Sequence, residues 1–151
     1  MDIAVDDLAD PAIAAFLEAH VSQLRALSPP ESTHALDLDG LRVPEVTFWT
    51  ARESGEIVGC CAVKRIAPAH GELKSMRTDP TRTRSGVASA LLRHALDESR
   101  RAGLDRVSLE TGADDFFLPA RTLYAKFGFR PCPPFGTYRE DPLSVFLTRT
   151  L

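Results

Sequence analysis

Residues Asp79–Ala88 read Asp-Pro-Thr-Arg-Thr-Arg-Ser-Gly-Val-Ala. A segment with strand character, Leu73–Thr78, leads into them, and an amphipathic segment follows and ends at Gly103. A basic, glycine-bearing turn that opens a helix is a cradle for an anion. The first four N–H groups of a helix have no acceptor inside it, and the aligned peptide dipoles put roughly half a positive charge there. Arg82 and Arg84 add two full charges. The expected guest is a phosphate, and a pyrophosphate above all. The plain alternative is an ordinary strand-to-helix turn whose arginines are only solvated.

The helix after the turn is well specified. Val87, Ala88, Leu91, Leu92, Ala95 and Leu96 recur at three- and four-residue spacing and form one apolar stripe. Ser85 is expected to cap its start, Arg100 and Arg101 suit the dipole of its last turn, and Gly103 is a natural left-handed terminator. Outward from this unit, Val46–Ala51 and Glu56–Lys64 read as strands joined in a hairpin through Glu53-Ser54-Gly55. His70 and Gly71 are expected to make the next turn, and Glu72–Thr78 the third strand, stopped by Pro80. Upstream, Ile3–Val5 starts the sheet. Asp10 and Pro11 open a helix to about Leu27 whose buried side is Ile13, Phe16, Leu17, His20, Leu24 and Leu27. Leu41–Pro44 reads as a loop or short turn. Downstream come a strand at Val107–Thr111, a helix at Leu118–Phe127, a strand beginning at Phe129–Arg130, and a last strand at Ser144–Leu151. This order gives an α/β (α+β) fold: a mixed, mostly antiparallel central sheet flanked by helices on both faces. The irregular segment Cys132–Pro142 is suited to cover a site.

Several classes are excluded by what the chain lacks. Its 151 residues, 44% hydrophobic and 26% charged, fit one domain over residues 1–151 with a full core. A net charge of −3 implies no general attraction to nucleic acid or membrane. There is no apolar run near the roughly 20 residues needed to span a bilayer. Asp2, Asp6, Asp7 and Asp10 are unlike a secretory leader, so a cytoplasmic location is expected. The three cysteines show no C-x-x-C or Cys/His metal spacing, and no metal is expected. Cys60 and Cys61, adjacent in a strand, are expected to point to opposite faces as reduced structural thiols. No G-x-x-x-x-G-K-[ST] and no G-x-G-x-x-G is present, which argues against triphosphatase and dinucleotide sites.

What remains, Thr83-Arg84-Ser85-Gly86-Val87-Ala88, resembles the acyl-CoA pyrophosphate loop Q/R-x-x-G-x-G/A of the GNAT N-acetyltransferase superfamily. Thr83 stands where Gln or Arg is usual. A second segment, Ala120-Arg121-Thr122-Leu123-Tyr124-Ala125-Lys126-Phe127-Gly128-Phe129, resembles the family's A-x-x-L-Y-x-x-x-G-F helix and strand, with Phe117 where an Asn is often found. The resemblance spans roughly Val46 to Phe129. It implies a GNAT-like acyl-CoA N-acyltransferase fold, acetyl-CoA (coenzyme A) as acyl donor, and a primary amine of a small molecule or peptide as acceptor. It also implies backbone contacts to pyrophosphate from Arg84, Ser85, Gly86, Val87, Ala88 and Ser89. The pantetheine arm would then lie along Ser75–Thr78, with Met76 and Thr78 as contacts and the Met76 N–H polarising the thioester carbonyl. A homodimer through the C-terminal strands is common in such folds.

Acyl transfer to an amine needs a neutral nucleophile. A lysine-like amine with pKa about 10.4 is only about one part in a few thousand neutral at pH 7, roughly 4.6 kcal/mol of barrier, so a positioned base matters. Glu72, early in the strand leading to the turn, is the candidate by resemblance to one branch of the family; the alternative is a solvated strand carboxylate. Glu110, Asp114 and Asp115 are its acidic rivals. Tyr124 is the candidate acid for the departing thiolate, its alternative a core aromatic. His34, in the polar stretch Glu31–Asp39, is the candidate acceptor contact, whereas His20 reads as structural and His94 as solvated. The rival to an enzyme is a non-catalytic acyl-CoA-binding or regulatory module, and a weaker one is another kind of nucleotide-binding protein.

Overall fold

The sheet grows from a hairpin whose turn chemistry is explicit. In the computed structural model, which describes residues 1–27, 38–82 and 85–151 (the side chains of 20–27 aside), strands β2 (Val46–Glu53) and β3 (Glu56–Ala67) meet across Ser54 and Gly55. Both turn residues have positive φ, 51° and 81°. Two-residue hairpins need this, because such turns match the right-handed twist of their strands. Strand β1 (Asp2–Val5) pairs antiparallel with β2, and β4 (His70–Thr78) pairs antiparallel with β3. Strands β5 (Arg106–Gly112), β6 (Arg130–Pro131) and β7 (Ser144–Thr150) complete a seven-stranded sheet of order β1-β2-β3-β4-β5-β7-β6. Among the described residues only β4 and β5 are parallel neighbours. The mixed, mostly antiparallel sheet is as expected.

Two apolar clusters show where the helices lie. Helices α3 (Val87–Arg101) and α4 (Leu118–Lys126) cover one face, where Leu91, Leu92, Leu96, Tyr124 and Phe129 pack with Cys61, Val63, Leu73 and Leu109 of the strands. Helix α1 (Pro11–Leu27) and the short α2 (Leu38–Leu41) cover the other, where Ile13, Leu17 and Leu41 pack with Phe48, Cys60 and Ala62. Adjacent Cys60 and Cys61 therefore serve opposite faces, as alternation along a strand requires. Among the described residues no helix is long and apolar enough to cross a membrane.

One local expectation is corrected. The turn after β3 falls at Pro68-Ala69, not at His70-Gly71, which already pair with Arg106 and Val107 of β5. Gly71 is small for packing: a Cβ there would stand 2.7 Å from Leu104 Cδ1 and 2.8 Å from Val63 Cγ1. The segment Leu41–Pro44 leaves the end of α2 as bend and turn, as expected.

Gly59 on β3 seats the start of α3. A Cβ at this position would lie 2.7 Å from Val87 Cγ1, 2.8 Å from Leu91 Cδ1 and 3.0 Å from the Arg77 carbonyl oxygen. Backbone on one side and fully buried helix residues on the other leave no route for relief. Gly59→Val should therefore lower unfolding free energy in urea by about 2 kcal/mol or more, the scale of core overpacking. An unchanged urea midpoint would mean that α3 is not held against β3 in this way.

Candidate active site

Parallel pairing between β4 and β5 is short. His70–Leu73 pair with Arg106–Leu109, and there the ladder ends. Beyond it, β4 stays with β3 as far as Thr78 opposite Gly59, while β5 stays with β7 as far as Gly112 opposite Ser144. The facing edges of Lys74–Thr78 and Glu110–Gly112 are thus unpaired with each other and leave a cleft inside the sheet. Strand edges of this kind accept an extended guest by main-chain hydrogen bonds.

The β4 edge carries a bulge. Cys60 stands opposite Arg77 and Ala62 opposite Lys74, so Cys61 faces two residues, Ser75 and Met76. Ser75 takes φ +55°, and its carbonyl accepts the Cys60 thiol at 3.3 Å. A bulge leaves one residue of its strand outside the ladder and re-aims its groups. Met76 packs against the cluster that contains Tyr124.

At the far end of β4 the chain turns into α3. A 3-10 turn, Pro80–Arg82, is fixed by Asp79, whose carboxylate accepts the Thr81 amide and hydroxyl at 2.9 Å each. Those bonds hold the Asp79 carboxyl below its usual range. Gly86, with φ +87°, stands at the N-cap of α3, and among the described residues no side chain caps the helix. The expected cap, Ser85, gives its hydroxyl to the Arg82 carbonyl instead. Ala90 donates to the Gly86 carbonyl at 3.0 Å in the first helical bond, so the amides of Val87, Ala88 and Ser89 precede any intrahelical partner. Ser85 and Gly86 are exposed, which leaves this end open to an anion. Arg82 is committed elsewhere, in an ion pair with Glu53 at the end of β2. Thr83 and Arg84 lie outside the described residues.

Helix α4 is tied to the end of β5. Arg121 Nη1 donates to the Gly112 carbonyl at 2.6 Å and to the Asp114 carbonyl at 3.0 Å. The Phe117 ring sits where a Gly112 Cβ would be, 2.2 Å from that position. This anchoring fixes Tyr124, which is buried and meets the Phe129 ring at 5.7 Å in an edge-on contact. Burial, and secondarily the Cys61 thiol, push the Tyr124 phenol well above its ordinary pKa. It is a neutral donor at any working pH.

Glu72 alternates with Leu73 and so points to the opposite face from Tyr124. It is buried, at 6% exposure, and its Oε2 accepts Lys74 Nζ at 3.0 Å and the Tyr138 hydroxyl at 2.5 Å. The solvated-carboxylate alternative does not hold. Its rivals have other partners: Glu110 accepts the Ser144 hydroxyl at 2.7 Å, and Asp114 caps the Phe116 amide at 2.8 Å. Tyr138 comes from the Cys132–Pro142 segment, with Phe135 and Phe146 around its ring.

The histidines divide differently from expectation. His94 is not solvated but half-buried, edge-on to Trp49 at 5.8 Å, because the α3 face it occupies still lies against β2. His34 lies outside the described residues, as does the side chain of His20. His70, expected only in a turn, has its Nε2 2.7 Å from the Ser108 hydroxyl, which in turn is 2.8 Å from the Thr148 hydroxyl. Burial first, then Arg106, lower its pKa. Burial raises all three thiols, Cys61 to about 12, so none is a ready nucleophile. Sequence reasoning missed Lys74 and Tyr138. Lys74 was findable, since residues two apart on a strand share a face.

Comparison with known proteins agrees with this geometry. The model of the acetyltransferase (GNAT) family matches residues 13–129. An uncharacterized N-acetyltransferase of Bacillus subtilis (strain 168), YsnE, is 48% identical over 151 residues, covering 100% of each chain. An IAA acetyltransferase of Azospirillum brasilense is 39% identical over 141 residues, 93% of this chain and 91% of its own. A solved Klebsiella pneumoniae structure, provisionally assigned as an acyl-CoA N-acyltransferase, superposes with TM-score 0.85 at 27% identity, covering 99% of this chain and 97% of that one. With its fold, its cleft and these relatives in agreement, the chain belongs to the GNAT family of acetyltransferases.

Proposed function

We propose that this enzyme moves an acetyl group from acetyl-CoA to a primary amine of a small molecule or peptide, by direct attack, with Glu72 as general base and Tyr124 as general acid. The observation that carries the reading is the cleft between β4 and β5. Free helix amides stand at one end of it, and the two candidate proton-transfer groups lie on opposite faces of the sheet beside it. Bound acetyl-CoA supplies an activated thioester.

The residues fit that guest. Gly86, Val87, Ala88 and Ser89 offer main-chain donors to a diphosphate, and the positive φ of Gly86 aims its own amide without a Cβ penalty. Along the β4 edge, Ser75–Thr78 offer main-chain groups to the amide-rich arm, and the bulge gives Met76 an N–H suited to a developing oxyanion. Glu72 takes a proton from the incoming ammonium, which frees the nitrogen lone pair to attack the carbonyl carbon. Tyr124 gives its phenolic proton to the sulfur as the C–S bond breaks, and the second proton, which the attacked nitrogen sheds on becoming an amide, restores the phenol by way of solvent; a neutral buried phenol is a donor that does not titrate away near neutral pH. The amine side and the leaving-group side are thereby kept apart. His34 remains the candidate acceptor contact in this reading.

Two measurements check it. Acetyl-CoA at about 100 times its dissociation constant should add about 2.7 kcal/mol to stability and raise the melting temperature, whereas ATP and NAD at equal concentration should not. A shift with ATP or NAD and none with acetyl-CoA would remove the cofactor assignment. Using an amine found by a thiol-release screen, Tyr124→Phe should cut kcat about 100-fold while leaving acetyl-CoA affinity intact. Unchanged turnover would remove Tyr124 as the acid.

A further inference from the structure

Glu72 is held unevenly. Both of its side-chain bonds end on Oε2, from Lys74 Nζ and from the Tyr138 hydroxyl, and among the described residues none ends on Oε1. We propose that Tyr138 is a positioning residue: its hydroxyl, with Lys74, locks Oε2 so that Oε1 is the atom that takes the proton from the acceptor amine. This rests on the reading of Glu72 as base.

Four observations support the assignment. The last torsion of a glutamate is broad and roughly two-fold, so a free carboxylate would present either oxygen; two donors on one oxygen remove that freedom. A 2.5 Å O–H to carboxylate contact is of the short, charge-assisted kind. Tyr138 is itself fixed, by Phe135 at 5.2 Å, Phe146 at 5.5 Å and a backbone bond from its N–H to the Phe135 carbonyl at 3.1 Å. Finally, Glu72 stands opposite Ser108, one pair before the β4–β5 ladder ends at Leu73 and Leu109, so the locked carboxylate borders the cleft. Burial and the Glu72 charge push the Tyr138 phenol up, so it stays a donor.

In the proton step, an N–H bond of the ammonium breaks and an O–H bond forms at Oε1. The nitrogen keeps the electron pair, and Glu72 becomes the neutral acid. The groups that face Glu72 in this step are Lys64 across the pair on β3, His70 and Lys74 on β4, Ser108 and Glu110 on β5, and Tyr138 from the covering segment. Only Tyr138 reaches it from outside the sheet among these.

The test is a double-mutant cycle on the intact enzyme. Tyr138→Phe keeps the ring among Phe135 and Phe146 and removes one donor. It should lower kcat about ten-fold with the KM for acetyl-CoA unchanged. It should also move the acid limb of the pH–rate profile to higher pH, because a hydrogen bond favouring the charged carboxylate has gone. In a Glu72→Gln background the same change should add no more than about two-fold. If Glu72→Gln is slow while Tyr138→Phe keeps wild-type kcat and acid limb, the positioning role is overturned and the base stands. An equal ten-fold loss in the Glu72→Gln background would likewise overturn it, since Tyr138 would then act through the fold. Full activity of Glu72→Gln at every pH overturns the base reading and this inference together.

Discussion

The parting of β4 from β5 after Leu73 and Leu109 is the constraint on which the rest depends. Each strand is retained by its other neighbour, β4 by β3 and β5 by β7, so the gap is held open by pairing on both flanks. A parallel pair embedded in an otherwise antiparallel sheet is the natural place for this. The crossover helix α3 joins its two strands and delivers a helix N-terminus beside the gap. Gly59 and the bulge at Ser75–Met76 are local consequences of the same arrangement. One lets the helix start lie on the sheet, and the other interrupts the β3–β4 ladder beside the opening.

Charge is handled on each side of the sheet in a different way. On the α3 and α4 face the reacting candidate is a buried, neutral phenol in an apolar cluster. Across the sheet, polar groups are linked in short chains: Lys74, Glu72 and Tyr138 in one, His70, Ser108 and Thr148 in another. Buried charges are tolerable only when paired and hydrogen-bonded, and Glu72 meets that condition. Arg82, by contrast, is neutralised by Glu53, which leaves backbone amides as the described anion donors at the turn.

Much of this was legible because it is local. The apolar stripe from Val87 to Leu96, the left-handed Gly103 and the two-residue hairpin at Ser54-Gly55 all express rules that act within a few residues. The turn Asp79–Ala88 was readable for the same reason, although its cap was misassigned: Gly86 takes the N-cap and Ser85 folds back on Arg82. What escaped depends on distance along the chain. Tyr138 reaches Glu72 from 66 positions away, through a segment whose composition signalled only irregularity. His94 lay off the apolar stripe yet found Trp49, because a helix resting on a sheet shades more than its central stripe. Gly71 looked like a turn residue, but the close approach of Leu104 and Val63 is what its size serves.

The central claim is that main-chain amides at the start of α3 and along the free edge of β4 receive the donor. Amide chemical-shift mapping by NMR during titration with coenzyme A tests it most directly. The account predicts the largest shifts at Gly86, Val87, Ala88 and Ser89, with a second group at Ser75–Thr78. Saturable binding that leaves those amides unmoved and perturbs another surface would contradict it.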